Sequence, residues 1–136
     1  MSQLKYFSYS KEGLKRSDQY NYNQSVRIPA GADRIEISGQ AGWDPQTGDI
    51  PTDIAAQISL AFSNVELALR DAGGKDWEQV FKVNSYHTDM GEEALEAFVE
   101  NLRRYAPHRP LLTAVAVPTL ADPKAIVEIE VVAVDV

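Results

Sequence analysis

Cysteine is absent from the 136 residues. That excludes a disulfide framework, a thiolate nucleophile and any cysteine-ligated metal. Histidine is scarce: His87 and His108 are the two present, in neither HxxxH nor HExxH spacing, so no metal site is expected. Positive charge is also in short supply. Thirteen Lys and Arg stand against twenty Asp and Glu, for a net charge of −7. An acidic chain has no general attraction for phosphate backbones, and the longest cationic run is Arg103-Arg104, so nucleic acid is not an expected partner. No apolar run approaches the roughly 20 residues needed to span a bilayer, which argues against a membrane partner. The opening residues, MSQLKYFSYSKEG, lack the apolar core of a secretory signal. A cytoplasmic protein is the expectation.

What is present is ordinary for a globular chain: 44% hydrophobic and 24% charged residues, with no repeat, low-complexity stretch or linker. One domain over residues 1–136 is expected, long enough to bury a core without staples. Residues 1–24 are polar and aromatic and read as a meandering strand or a loop cover. Residues 25–28 read as a short strand stopped by Pro29-Ala30-Gly31. Arg34 to Ser38 alternates polar and apolar, as a half-buried strand does. Thr52 or Asp53 caps a helix whose apolar stripe runs through Ile54, Ile58, Phe62, Val65 and Leu69 and ends at Gly73-Gly74. Val80 to Tyr86 reads as a strand and Glu92 to Tyr105 as a second helix. Leu111 to Val117 and Ala125 to Val134 read as the last two strands.

Two helices for five or six strands predict an α+β fold, a single sheet with both helices on one face. The last strand supports that. Val127, Ile129, Val131 and Ala133 form an apolar face to lie under the helices. Its other face, with Glu128 and Glu130 among Ile126, Val132 and Val134, is too apolar to be simply solvated. A homo-oligomer follows as an expectation.

Four constellations could carry chemistry. Ser38-Gly39-Gln40 closes a strand, where Gly39 either marks a bulge or lets a ligand approach the backbone. Glu128 and Glu130 stand side by side on a mostly apolar strand. Desolvation there would raise a carboxylate pKa and suit it to proton transfer; the other reading is a solvated or salt-bridged pair. His108-Arg109-Pro110 precedes a strand, and its arginine could grip a carboxylate with two parallel hydrogen bonds. His87 with Asp89 is weaker, because no nucleophile and base pair forms around either histidine.

Taken together, Ser38-Gly-Gln-Ala-Gly-Trp-Asp-Pro-Gln-Thr-Gly-Asp-Ile-Pro51, the Ala56-Gln57…Asn64-Val65 helix ending at Ala72-Gly73, and Val127-Glu-Ile-Glu-Val-Val-Ala133 resemble the YjgF/Rid (reactive intermediate deaminase) family. Its members also carry the label L-PSP endoribonuclease. The resemblance covers about Tyr22 to Val134. It implies a chorismate-mutase-like fold and a homotrimer with small-molecule clefts between adjacent subunits. It further implies hydrolysis of small 2-imino or enamine acids to 2-oxo acids and ammonia without a cofactor. By that resemblance Glu128 positions the attacking water, Ser38 and Gly39 supply a strand-end backbone, and Tyr22 lines the pocket.

The family's carboxylate-binding arginine does not carry over in the same way. Lining up Thr113-Ala-Val-Ala-Val117 with that strand puts Leu112 in its place, with Arg109 three residues earlier. At about 3.3 Å per residue the arginine is displaced by about 10 Å, and an odd offset turns it to the other face. A pocket lined by Leu112 and Ala114 favours a less polar ligand, so an altered substrate is the expectation. A small-ligand-binding or regulatory protein without catalysis is the second reading. Endoribonuclease activity is disfavoured by the acidic charge and the lack of a His/Lys cluster.

Overall fold

The computed structural model describes residues 4–135, so the domain read over 1–136 runs past the described residues at both ends. The elements are β1 (Lys5–Phe7), α1 (Glu12–Tyr20), β2 (Ser25–Arg27), β3 (Asp33–Ala41), α2 (Ile54–Asp71), a 3₁₀ turn (Trp77–Gln79), β4 (Val80–His87), α3 (Glu92–Tyr105), β5 (Leu111–Ala116) and β6 (Val127–Asp135). The main sheet has the order β3-β6-β4-β5. β6 runs antiparallel to both neighbours, while β4 and β5 are parallel. Parallel neighbours need a crossover, and α3 supplies it.

The architecture is α+β, with two corrections to the sequence reading. Among the described residues there are two sheets rather than one: β1 and β2 pair only with each other. The third helix, α1, lies in the segment read as a strand or loop cover. Its nine residues carry no apolar stripe, and the ones it buries are Gly13 and Ser17. Two signals point to it in hindsight. Glu12 and Arg16 pair across one turn at 2.8 Å, and Asn21 takes the left-handed conformation (φ 57°) that ends a helix.

The two long helices form where the spacing places them. Asp53 caps α2 by accepting from Ala56 N–H at 2.9 Å. At the other end Gly73 takes φ 93°, and Gly74 N–H reaches back to the Leu69 carbonyl at 2.9 Å. Between the helices and the sheet lies the core. Val127, Ile129, Val131 and Ala133 of β6 pack with Ile58, Phe62, Val65 and Leu69 of α2 and with Phe98 and Leu102 of α3. Phe62 is the aromatic hub, with ring centroids 5.1 Å from Trp77, 5.4 Å from Phe98 and 5.6 Å from Tyr105. The indole N–H of Trp77 donates to the Phe62 carbonyl at 3.0 Å, so the one polar atom of that ring is satisfied.

His87 belongs to this core and not to a site. It is 3% exposed, its Nε2 lies 2.8 Å from Ser85 Oγ, and its ring meets Phe98 edge-on at 4.7 Å. Burial pushes its pKa from 6.5 down to about 4. The folded protein therefore holds His87 neutral where the unfolded chain would take up a proton. The stability that this neutral form contributes is complete above pH about 6.5 and is lost as pH falls toward about 4. The loss should amount to about 3 kcal/mol. Urea denaturation between pH 7 and 4 should show a steeper decline for wild type than for His87→Gln; equal slopes would contradict it.

Candidate functional site

β6 is the inner strand that carries both faces of the problem. Its buried face holds the core. Its other face presents Glu128 and Glu130, both half-buried, with no helix laid over them. Register fixes their neighbours. Glu128 lies opposite Ala41 of β3 and Tyr86 of β4, and Glu130 lies opposite Asn84.

Glu130 is engaged. Tyr86 donates its hydroxyl to Glu130 Oε1 at 2.6 Å, and Asn84 Nδ2 approaches the same oxygen at 3.4 Å. Hydrogen bonding to Glu130, with smaller contributions from desolvation and nearby carboxylates, raises the Tyr86 pKa and keeps the phenol protonated as the donor. Sequence reading overlooked Tyr86 and Asn84. The alternation of β4 would have placed them with Lys82 on one face, across from the carboxylates.

Glu128 is different. It lies over a bulge in β3. The pairing steps from Ile37 opposite Val131 to Gln40 opposite Ile129, so three steps on β3 meet two on β6. Gly39 sits in that bulge. A Cβ there would strike the Glu128 carboxylate, meeting its Cδ and Cγ at 2.8 Å. The bulge reading of Gly39 thus holds, and the missing side chain leaves room for the Glu128 carboxylate. Ser38 beside it is exposed, and its carbonyl accepts from Gln40 Nε2 at 3.2 Å.

Two buried amides on α2 hold the loops flanking this corner. Asn64 Nδ2 donates to the carbonyls of Ala41 (2.9 Å) and Trp43 (2.7 Å) after β3. Gln57 donates to Pro51 O at 3.0 Å and to Lys124 O at 3.3 Å, and accepts from Ile126 N–H at 2.7 Å just before β6. They appear in the sequence as polar interruptions of an apolar stripe, which is the signal a buried positioning amide leaves.

The remaining predicted residues lie elsewhere. Leu112 and Ala114 pair with Val83 and Ser85 of β4, both fully buried on the helix side. Leu112 packs against the core. Strand alternation therefore puts Leu112 and Ala114 on the face away from Glu128 of the same chain. The open face of β5 is Leu111, Thr113 and Val115. The open face is also less apolar than the sequence reading held, since Asn84, Tyr86, Lys82 and Glu36 join it. A depression of about 190 Å³ lies among Glu36, Lys82, Asn84 and Glu130.

Arg109 stands just before β5 in a left-handed conformation (φ 56°), with Nη1 donating to Asp18 Oδ1 at 2.6 Å. Tyr22 is close to this end of the sheet, because the next residue, Asn23, bridges to Leu111 and donates to the Arg109 carbonyl at 2.8 Å. The Tyr22 hydroxyl accepts from Gln24 Nε2 at 3.1 Å. His108 tethers the same loop: its Nε2 donates to the Val80 carbonyl at 2.7 Å, and burial lowers its pKa. The predicted residues thus fall in two groups. Leu111 is level with Lys82, and Glu128 with Tyr86. Four residues of β4 separate those levels, about 13 Å at 3.3 Å per residue. Ser38, Gly39 and Glu128 form one group, and Tyr22 and Arg109 the other. Among the described residues no three His, Asp or Glu come together to hold a metal ion, and no helix is long and apolar enough to cross a membrane.

A family model described as endoribonuclease L-PSP matches residues 16–135. The chain belongs to this family, the YjgF/Rid family. It is similar to a RutC family protein from Aquifex aeolicus, 34% identical over 114 residues that cover 83% of this chain and 87% of that one. It is also similar to the 2-iminobutanoate/2-iminopropanoate deaminase of Escherichia coli K12, 31% identical over 105 residues covering 74% and 78% of the two chains. Among solved structures, the Rid-family protein YyfB from Yersinia pestis matches with a TM-score of 0.84 at 21% identity, over 98% of this chain and 100% of that one, a likeness of fold.

Within this YjgF/Rid fold the contact between Gly39 and Glu128 generates a prediction. The clash in Gly39→Ala falls on the far end of a flexible side chain, so the substitution should displace the carboxylate and leave the fold intact. We expect a loss of about 1–2 kcal/mol, as for overpacking, most of it absent when Glu128→Ala is made first. A urea-denaturation double-mutant cycle measures the coupling, and strict additivity would rule out the contact.

Proposed function

We propose that this chain hydrolyses small 2-imino or enamine acids to 2-oxo acids and ammonia, working as one domain in a homotrimer with the pocket between adjacent copies. The observation that carries this reading is Glu128, a half-buried carboxylate seated on the Gly39 bulge with no helix above it. The family, and a relative named for deamination of 2-iminobutanoate, support the reaction class.

In this reading the water oxygen adds to the C=N carbon while Glu128 positions the water and takes its proton. The C=N electron pair moves to nitrogen, which receives that proton. The tetrahedral carbon then re-forms a C=O bond as its hydroxyl proton passes to nitrogen, and ammonia leaves. The Gly39 backbone beside Glu128 faces the reacting carbon. Arg109 grips the substrate carboxylate, with Tyr22 beside it.

The separation of about 13 Å or more along the sheet between these groups exceeds the length of a three- or four-carbon acid. One copy therefore does not close both ends on a single small ligand, which favours a site completed by Arg109 of one copy and Glu128 of the next. In this reading the step draws only on water and these side chains. Endoribonuclease activity is less well supported. At a net charge of −7 the chain has no general attraction for RNA, His87 is buried in the core, and His108 is tied to a backbone carbonyl.

The test generates 2-iminobutanoate in situ and follows ammonia release. Glu128→Ala should lower kcat by about 10²–10⁴, the usual share of a general acid–base group. Arg109→Ala should act mainly through KM. Activity that survives both substitutions would sink the assignment. Light scattering should give three times the chain mass; a monomer at micromolar concentration would remove the cleft between copies.

A further inference from the structure

Helix α1 is docked on the segment that carries Arg109. Asn21 Nδ2 donates to the Ala106 carbonyl at 2.9 Å, Asn23 Nδ2 to that of Arg109 at 2.8 Å, and Arg103 Nη2 to that of Gln19 at 3.1 Å. The same helix brings Asp18 against Arg109 Nη1.

Asp18 is poorly placed for the helix itself. It sits in the last turn of α1, where the helix dipole disfavours a carboxylate, and that turn has no basic residue of its own. Arg109 supplies the compensating charge. Its own backbone lies in the left-handed region, unusual for a residue other than glycine. Two locally unfavourable choices thus meet in one ion pair.

We infer that Asp18 is a specificity-determining residue, an internal carboxylate that competes with the ligand's carboxylate for Arg109. The inference rests on the reading of Arg109 as the carboxylate clamp. Asp18 takes one Nη donor and neutralises the charge that would attract an anion. An incoming monocarboxylate must displace Asp18 or share the guanidinium with a like charge. The effect is bounded by exposure. The side chains are 37% (Arg109) and 71% (Asp18) exposed, and pairs in such surroundings are weak. Removing the competitor should therefore change affinity by about two- to fivefold and no more.

The opposite role, in which Asp18 orients Arg109 for the ligand, predicts the opposite sign. Asp18→Ala separates the two. Alanine raises helix propensity and removes the ill-placed charge, so α1 should survive, which circular dichroism verifies. The probe is 2-oxobutanoate, the stable acid that hydrolysis of 2-iminobutanoate yields, titrated by calorimetry, with 2-butanone as the control lacking a carboxylate. We expect Asp18→Ala to tighten 2-oxobutanoate binding about two- to fivefold and to leave 2-butanone unchanged. Unchanged or weaker 2-oxobutanoate binding would overturn the competition. Arg109→Ala distinguishes the failures. If it weakens binding while Asp18→Ala does not tighten it, the clamp stands and the competition falls. If Arg109→Ala binds as wild type does, or if no variant binds, the clamp falls and takes the competition with it.

Discussion

Two buried amides on α2 set the geometry on which the candidate site depends. Gln57 and Asn64 lie on the face of the helix that meets the sheet, among Ile58, Ala61 and Val65. Each hydrogen-bonds backbone groups of a loop that has no regular structure of its own. Asn64 holds the chain leaving β3, and Gln57 holds both the approach to α2 and the approach to β6. An unpaired backbone carbonyl in such a place costs about 1–3 kcal/mol, so the loops have one low-energy position and the amides define it. The loops flank the β3–β6 ladder, whose register step at the bulge sets Gly39 over Glu128. Hydrophobic packing alone would hold the helix on the sheet, but it is non-directional and would not fix these loops.

β6 extends the same logic across the sheet. An inner strand with helices on one face must be apolar there, and Val127, Ile129, Val131 and Ala133 are buried to 2% or less. The alternate positions are free of that demand, and they hold the two carboxylates. The carboxylates then diverge by environment. Glu130 accepts from Tyr86 and Asn84 and acts as the centre of a polar cluster. Glu128 has only the space that Gly39 leaves open. Two acidic residues, two apart on one strand, therefore have different chemical availability, decided by what faces them across the ladders.

The parts of this arrangement that are legible in sequence are those with a strong period. The stripe of α2, its Asp53 cap, its Gly73 stop and the two-faced pattern of β6 each follow from spacing that survives in the fold. The site's first half, Ser38-Gly39 with Glu128, is legible because glycine in a strand and acid in an apolar strand are both exceptions that need a reason. α1 escapes notice because its stability comes from contacts with residues 103–110 and not from an apolar face. The side to which Leu112 turns is not legible for a different reason. A short edge strand that is apolar on both sides gives no sign of which side is in, and the parity is set by pairing with Val83, which only the register reveals.

The separation of Arg109 from Glu128 bears on more than the reaction. Within one chain the two groups lie at opposite ends of β4 and β5, too far apart for one small acid, so on the proposed reading catalysis and assembly are a single property. A site shared by two copies is populated only as far as the copies associate, and a ligand that touches both must in turn favour association by mass action. The polar cluster around Glu130 then has a role that neither the core nor the chemistry demands of it. Lying on the open face between the two halves, it replaces a continuous apolar surface with directional groups. Such groups need matched partners when buried, and this restricts the ways in which two copies can meet. A wholly apolar face would bind more tightly and less selectively, and on the proposed reading it would not single out the alignment that the shared site needs.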